Sequence, residues 1–434
     1  MGLFLFISWS LICGYSLFSN RDIFSPVKLY LLTLGVYFSD LFTVEYFSEI
    51  YVTYIIYLLM GLLLAMLEAK YYKTNGVVAE REKVMEKSYL ARITFLMWLL
   101  TLIPVTAQLY LISYMGGLEQ YLTRIGFRTV EWRGMGHVTT AIRFINVITL
   151  CYFGIGLVAN MKKPFKWWAL FCLHFLLFMA MGLLSGSRGF LEIIITMLIM
   201  YHYLRRSITV KAAVSIGLLL FAFASVIGIA RNGFKVDDGQ IITGFSYGDS
   251  SRLKLRQGDY GIQPLDLVYS QDLKELQFGK TFLTVITNFV PRDLWPKKPD
   301  PGGLVLTKQF TDDAWDGASN LSTGMIAESI LNFGYVGGVL IGSLLLFGSM
   351  LMTLKLYIKI KTGCSENDAV TNLLKVVVYI YVMKTMAGLV TMEFTNAIML
   401  LLINISSFLI VYLLLKYRIT IFHSRMKLKL GTAR

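Results

Sequence analysis

Apolar runs of about 20 residues recur along this chain from end to end, and that recurrence leaves few folds open to it. A helix of about 20 residues rises far enough to cross the roughly 30 Å of hydrocarbon in a bilayer. Eleven such spans can be read, near 3–19, 27–43, 50–70, 92–114, 138–160, 166–185, 188–204, 208–230, 326–354, 369–392 and 394–416. Composition agrees: 56% of the 434 residues are hydrophobic, 16% are charged, and mean hydropathy is +0.61. A soluble domain carries roughly 25% charged residues and could not cover so much apolar surface. The expectation is an all-α polytopic membrane protein of about 11 transmembrane helices.

A net charge of +14 would raise nucleic acid as a partner for a soluble protein. In a membrane protein it first reports which loops carry the Lys and Arg. One set of connections holds Lys70, Lys73, Arg81, Lys83 and Lys87, then Lys162, Lys163 and Lys166, then Arg205, Arg206 and Lys211. Lys355, Lys359, Lys361 and the tail from Lys416 to Arg434 belong to the same set. The alternate set includes the loop of Asp40, Glu45 and Glu49 and the loop from Thr391 to Asn396, both without Lys or Arg. Every short loop except 115–137 follows the pattern. The tail and 71–91 are therefore expected in the cytoplasm, with the N-terminus, the hairpin at Gly186 and segment 231–325 outside. The bilayer is the expected partner, and nucleic acid is not.

Three divisions follow: 1–230, an N-terminal bundle of about eight spans; 231–325, an outer loop domain; and 326–434, about three spans with a basic tail. Segment 231–325 is too long to be a mere connection. It opens with polar, glycine-rich chain from Asp237 to Gly261. Ile262, Leu265, Val268, Tyr269, Leu273 and Leu276 then fall at helical spacing, and 281–290 forms a second amphipathic stretch. The run from Pro291 to Gly303 holds four prolines, which forbid regular helix and favour an extended path. Trp295 and Trp315 suit the level of lipid headgroups.

The outward-facing cations are mostly arginines: Arg124, Arg128, Arg133, Arg188, Arg231, Arg252, Arg256 and Arg292, with Lys297, Lys298 and Lys308, and Arg143 just inside the fifth span. Guanidinium forks match phosphate and carboxylate oxygens. Acidic residues at a comparable depth are few: Glu192, Asp266, Asp312, Asp313, Asp316, Glu328 and Glu393. Cys13, Cys151, Cys172 and Cys364 have neither disulfide nor metal-ligand spacing, and the four histidines form no cluster, so no metal or cofactor is expected. No positively charged n-region precedes the first apolar stretch, so a cleaved signal peptide is not expected. No selectivity-filter, Walker or voltage-sensor pattern appears, and no repeat divides the spans into matching halves.

Three short motifs, in order, resemble the bacterial O-antigen polymerase (Wzy) family of oligosaccharide repeat-unit polymerases. They are Ser185-Gly186-Ser187-Arg188-Gly189 between two spans, the run from Val290 to Pro299, and Ala327-Glu328-Ser329 followed by Asn332-Phe333-Gly334. The similarity extends over the whole topology, including one large outer loop in the second half. The family's Arg-x10-Gly pattern also occurs, at Arg143 to Gly154 and Arg292 to Gly303, a frequency that 36 glycines would give by chance. The resemblance implies a GT-C-like, metal-independent, inverting glycosyltransferase of the bacterial inner membrane. Its substrates would be undecaprenyl-pyrophosphate-linked oligosaccharides, with a chain-length regulator and a flippase of the same pathway as candidate protein partners. Glu328, Arg188 and Arg292 are then the expected catalytic residues. Arg231, Arg143, Lys297, Lys298, Asn332 and Lys384 are expected to bind pyrophosphate or glycan.

Each of these residues also has a plainer reading. Arg188 can close its hairpin against Glu192 one helical turn away. Arg231 ends a span, where a cation suits the helix dipole unaided. Arg292 can pair with Asp293. Glu328 opens the ninth span as a costly intramembrane carboxylate, and a structural ion pair competes with a role in chemistry. Lys384, deep in the tenth span, can pair with Glu328 or Glu393, the favoured reading, or touch phosphate. Rival functions are an O-antigen ligase using the same pyrophosphate chemistry, a lipid-linked oligosaccharide flippase, and a non-catalytic scaffold.

Overall fold

The computed structural model describes residues 2–74, 87–124, 132, 134–159, 165–185, 189–205, 207–237, 240–243, 262–270, 273, 275–288, 290, 294–310, 322–363 and 369–431. In chain order the helices begin with α1 (Gly2–Ser19), α2 (Pro26–Tyr37), α3 (Ser48–Thr74), α4 (Lys87–Tyr114) and α5 (Leu118–Arg124). Next come α6 (Gly136–Val158), α7 (Phe165–Leu184), α8 (Gly189–Leu204) and α9 (Val210–Gly233). Two four-residue strands, β1 (Phe234–Asp237) and β2 (Gln240–Thr243), pair antiparallel with Phe234 opposite Thr243. The remaining helices are α10 (Gln263–Ser270), α11 (Lys280–Thr287), α12 (Gly302–Phe310), α13 (Gly324–Gly363), α14 (Ala369–Gly388) and α15 (Phe394–Gly431).

Seven of these segments are long and apolar enough to cross a membrane: Gly2–Ser19, Ser48–Tyr71, Leu90–Tyr114, Gly136–Val158, Phe165–Leu184, Gly324–Lys361 and Phe394–Lys416. Pro26–Tyr37, Gly189–Leu204 and Val210–Phe223 are apolar but shorter. The chain is a helical, polytopic membrane protein. Leu3, Phe18, Phe165, Leu219 and Val336 lie exposed on helix faces, as suits side chains solvated by lipid. The second expected span, 27–43, takes the form of the 12-residue α2 continued by a 3-10 turn at Ser39–Phe42. Pro26 starts α2 at its first turn, where a missing N–H does no harm.

The packing separates into two units interleaved along the sequence. The first comprises Met1–Val78, Gly248–Cys364 and Tyr381–Ile403; the second comprises Ala79–Tyr247, Ser365–Ile380 and Asn404–Arg434. In the second unit α6 packs against α4, α7 and α8. His174 is wholly buried there, its Nε2 2.9 Å from Thr101 Oγ1 and its ring edge-on to Trp98 and Tyr152. Those are the contacts of a packed core histidine. His202 Nδ1 accepts the Ile208 N–H at 3.0 Å, tying the end of α8 to the chain that follows.

The first unit is built around α13, which is not one straight helix. Gly334 has φ 75° and ψ 178°, and the chain reverses there. A Cβ on Gly338 would stand 2.5 Å from the Ile330 nitrogen, and one on Gly342 would stand 3.4 Å from the Met325 carbonyl oxygen. At 1.5 Å rise per residue, positions 342 and 325 of a continuous helix would lie about 25 Å apart. Residues 324–333 therefore fold back as a short limb against the start of 335–363, and Gly338 and Gly342 supply the space for it. Met325, Ala327, Glu328, Ser329, Ile330, Leu331 and Asn332 on the short limb are all fully buried. A helix buried on every side is apolar nearly all round, which is why this limb reads in sequence as part of a membrane span. Taken over both limbs, α13 packs with α2, α3, α10, α11 and α12. The aromatic layer of Tyr30, Phe38, Tyr54 and Tyr57 belongs to the same core.

Candidate functional site

Two buried carboxylates, Glu328 and Glu393, mark the junction of four elements in the first unit. Glu328 lies one turn into the short limb of α13, and Glu393 immediately precedes α15. Glu328 Oε1 accepts the Thr281 hydroxyl at 2.8 Å, and Oε2 accepts the Phe394 N–H at 2.7 Å. Glu393 Oε2 accepts the Gly303 N–H at 2.5 Å. Phe394 and Gly303 stand at the starts of α15 and α12, so two helix N-termini direct otherwise unpaired N–H groups and positive dipole ends at the carboxylates. Gly302 makes the approach possible: a Cβ there would stand 2.8 Å from Glu328 Cδ. Burial pushes the Glu393 carboxyl above the usual carboxylate range, and the Gly303 N–H offsets part of that rise.

Asn332 joins the next layer. Its Nδ2 donates to Thr281 Oγ1 and to the Glu328 carbonyl, each at 2.7 Å, while its Oδ1 accepts the Gly279 N–H at 2.8 Å. The break at Gly334 also frees the carbonyls of Leu331 and Asn332, and these accept the N–H groups of Gln277 at 2.9 Å and Phe278 at 3.0 Å. The orphan acceptors at a helix end are thus satisfied by the segment leading into α11. Phe278 and Gly279 turn that segment through positive φ, 46° and 82°. Thr395 and Thr284 complete the cluster, with their hydroxyls 2.5 Å apart and Thr395 Oγ1 donating to the Thr281 carbonyl at 2.9 Å.

An open cleft of about 520 Å³ lies on the other side of α11 and α12. Lys280, Lys297, Lys298 and Lys308 line it, with Glu275, Asp300, Gln277, Gln309 and Trp295. Its walls are tied in place. Lys298 Nζ donates to the Val290 carbonyl at 2.9 Å, Lys308 pairs with Asp300 at 2.8 Å, and Gln309 Nε2 donates to the Glu275 carbonyl at 3.0 Å. The four lysines against two acids leave the lining with net positive charge.

Of the site residues expected from sequence, Glu328 and Asn332 come together in the buried cluster, and Lys297 and Lys298 in the cleft. Lys384 is half-buried on α14, its ammonium 5.8 Å from the centre of the Tyr381 ring. Among the described residues no Lys or Arg pairs with Glu328 or Glu393; backbone N–H groups and a threonine hydroxyl occupy that role. Arg143 is exposed on α6 in the second unit. Arg231 lies in the last turn of α9, and its side chain is outside the described set. Arg188 and Arg292 lie outside the described residues, as do Asp312, Asp313 and Asp316. Thr281, Lys280 and Gln309 were not singled out by sequence, Gly302 and Gly303 entered only as the end of the proline-rich run and its Arg-x10-Gly match, and Glu393 was named as an acid at suitable depth and a possible partner of Lys384. A Glu directly before an apolar helix, as at Glu393-Phe394, is the one local signal that pointed to this junction.

Among the described residues no three His, Cys, Asp or Glu side chains gather as metal ligands. No protein-family model, curated protein or solved structure matches this chain.

Proposed function

We propose that this protein is an eleven-span, GT-C-like polymerase of undecaprenyl-pyrophosphate-linked oligosaccharide repeat units in a bacterial inner membrane. The crossings in this reading are α1, α2 together with the 3-10 turn that continues it, α3, α4, α6–α9, the long limb of α13, α14 and α15, with the N-terminus and segment 231–325 on the periplasmic side. The bond from the anomeric carbon of the growing chain to its pyrophosphate oxygen breaks. A bond to a hydroxyl at the non-reducing end of the new unit forms with inversion, the hydroxyl proton passes to a base, and undecaprenyl pyrophosphate leaves. The leaving group needs cations at the membrane face, a role given to Arg188 and Arg292, while Arg231, Arg143, Lys297, Lys298, Asn332 and Lys384 are given the binding of pyrophosphate or glycan.

The observation that carries this reading is the basic, tryptophan-lined cleft held directly against the Glu328–Glu393 junction by α11 and α12. Glu328 is wholly buried and both its oxygens are engaged. In this reading it ties α11 to the start of α15 beneath the cleft, and could act as the base only if the Thr281 hydroxyl or the Phe394 N–H moved off it. The test is to give the purified protein a lipid-linked repeat unit in detergent with EDTA and to size the products. A ladder of longer lipid-linked chains is expected, and its absence with intact substrate and fold refutes the polymerase. One transfer to a different acceptor, with no ladder, moves the reading to a ligase. In the same assay Arg188→Ala and Glu328→Gln should each be strongly impaired; near wild-type ladders in both would overturn the residue assignments alone.

A further inference from the structure

We infer that the basic cleft beside α11 and α12 binds an acidic saccharide, so that the glycan handled at this site is anionic. This rests on the reading above for the origin of the sugar, while the binding itself does not require any transfer reaction. Four features of the lining point to it. Lys280 and Lys297 are exposed ammonium groups with no partner among the described residues. Gln309 Oε1 is buried and accepts no hydrogen bond there, while Nε2 of the same side chain is fixed on Glu275. Trp295 is 42% exposed at the rim, an apolar ring beside polar groups. The volume, about 520 Å³, lies within the roughly 300–1,000 Å³ of small-ligand sites.

These groups fit a saccharide better than a bare pyrophosphate. An indole face suits the apolar face of a pyranose ring, and an unpaired amide oxygen suits a sugar hydroxyl. Glu275 and Asp300 would repel a densely charged diphosphate, whereas carboxylates accept hydrogen bonds from hydroxyls readily. With Lys308 already paired to Asp300, the uncompensated charge comes from Lys280, Lys297 and Lys298 against Glu275. Among the described residues that surplus is two positive charges, which one phosphate ester, or carboxylates on successive sugars, would neutralise. Neutral glycans would leave two ammonium groups without a counter-charge.

The experiment uses the full-length protein in detergent micelles and measures binding by calorimetry. Three probes are compared: an oligogalacturonate, a neutral galacto-oligosaccharide of the same length, and inorganic pyrophosphate. A phosphorylated sugar serves as a fourth arm to separate carboxylate from phosphate ester as the anionic group. At least one acidic saccharide should bind about tenfold or more tightly than the neutral one, and its affinity should fall with added salt. The double variant Lys280→Gln/Lys297→Gln should lose about tenfold for the acidic probe and leave weak neutral binding unchanged. Trp295→Ala should weaken both saccharides. Equal affinity for neutral and acidic saccharides, no binding of either acidic probe, or tighter binding of pyrophosphate at these lysines each overturns the inference. Failure of the polymerase assay alone would leave these binding results standing.

Discussion

Replacing Gly302 with alanine should loosen the joint between α12 and the buried limb of α13. The new Cβ would stand 2.8 Å from Glu328 Cδ and Cγ and 2.9 Å from Oε1, where non-bonded carbons settle at about 3.5–4.0 Å. The carboxylate cannot swing away without loss, because Thr281 holds one oxygen at 2.8 Å and Phe394 the other at 2.7 Å. Either α12 backs off or one of those bonds breaks. Overpacking on this scale costs about 1–3 kcal/mol, and losing a hydrogen bond to a charged group falls in a similar range, about 1.5–3 kcal/mol. The first route also weakens the bond from the Gly303 N–H to Glu393.

Amide hydrogen exchange reads that loosening locally, without requiring reversible global unfolding in detergent. Gly303, if α12 backs off, or Phe394, if its bond to Glu328 breaks, should exchange about 5- to 150-fold faster in Gly302→Ala, the range corresponding to about 1–3 kcal/mol. Amides of α6, in the second unit, should be unchanged. A double-mutant cycle isolates the cause. In a Glu328→Ala background the space beside residue 302 is empty, so adding the methyl should change protection by less than about 0.5 kcal/mol. An equal penalty in both backgrounds, or unaltered protection in the single variant, would refute the proposed contact as the source of stability.

Three further outcomes are expected from the same region. Asn332→Leu removes the acceptor of the half-buried Gly279 N–H and the donor to Thr281, and should lower protection at Gly279 by about 1–3 kcal/mol. Unchanged exchange at Gly279 would show that the bond contributes nothing. Gly334→Ala places a side chain at φ 75°, ψ 178° with nothing within 4 Å of its Cβ. Its penalty is backbone strain alone, of order 1–3 kcal/mol, and should appear as faster exchange at Gln277 and Phe278, whose acceptors depend on the break. For Glu393, burial raises the folded-state pKa above the unfolded value of about 4.3. Its contribution to stability is therefore full below that value and lost as pH rises through the raised native one. The wild type minus Glu393→Gln difference in thermal midpoint should decline with rising pH from 4 to 8, and a flat difference would contradict the raised pKa.

Helix positions were largely legible because apolar periodicity is a property of neighbouring residues. Runs near 3–19, 138–160 and 166–185 emerge as α1 (Gly2–Ser19), α6 (Gly136–Val158) and α7 (Phe165–Leu184), within two residues at each end. What sequence hid were breaks inside apolar stretches. The run 326–354 reads as one span because both limbs of the α13 hairpin are apolar, the short one from burial in protein and the long one from exposed helix faces. Asn332 and Gly334, with Gly338 and Gly342 one turn apart, were the available signal for a close reversal. The β1–β2 hairpin escaped because four-residue strands are too short for alternation to stand out. α12 followed a proline-rich run and was hidden by it, although Pro301 is well placed to precede a first turn and its carbonyl accepts the Leu304 and Val305 N–H groups.

The candidate site was legible as residue types and not as an arrangement. Thr281, Gly302, Glu328 and Glu393 are scattered over more than a hundred positions, and only the reversal at Gly334 brings their elements to one point. That reversal also changes what Glu328 means. Read as the opening of a membrane span, it is a carboxylate needing a cationic partner, and Lys384 was the natural choice. On a limb of residues 324–333, about 15 Å long, it belongs to no crossing of a 30 Å hydrocarbon layer. Its compensation comes instead from the α15 N-terminus and the Thr281 hydroxyl, with the α12 N-terminus serving Glu393 beside it. A carboxylate held by backbone donors from separate elements locks those elements to one another, because displacing any one leaves a buried group unsatisfied. The floor of the basic cleft thereby inherits its rigidity from Glu328 and Glu393. Substitutions at this pair should consequently disturb cleft geometry, and ligand affinity with it, even though neither side chain lines the cleft.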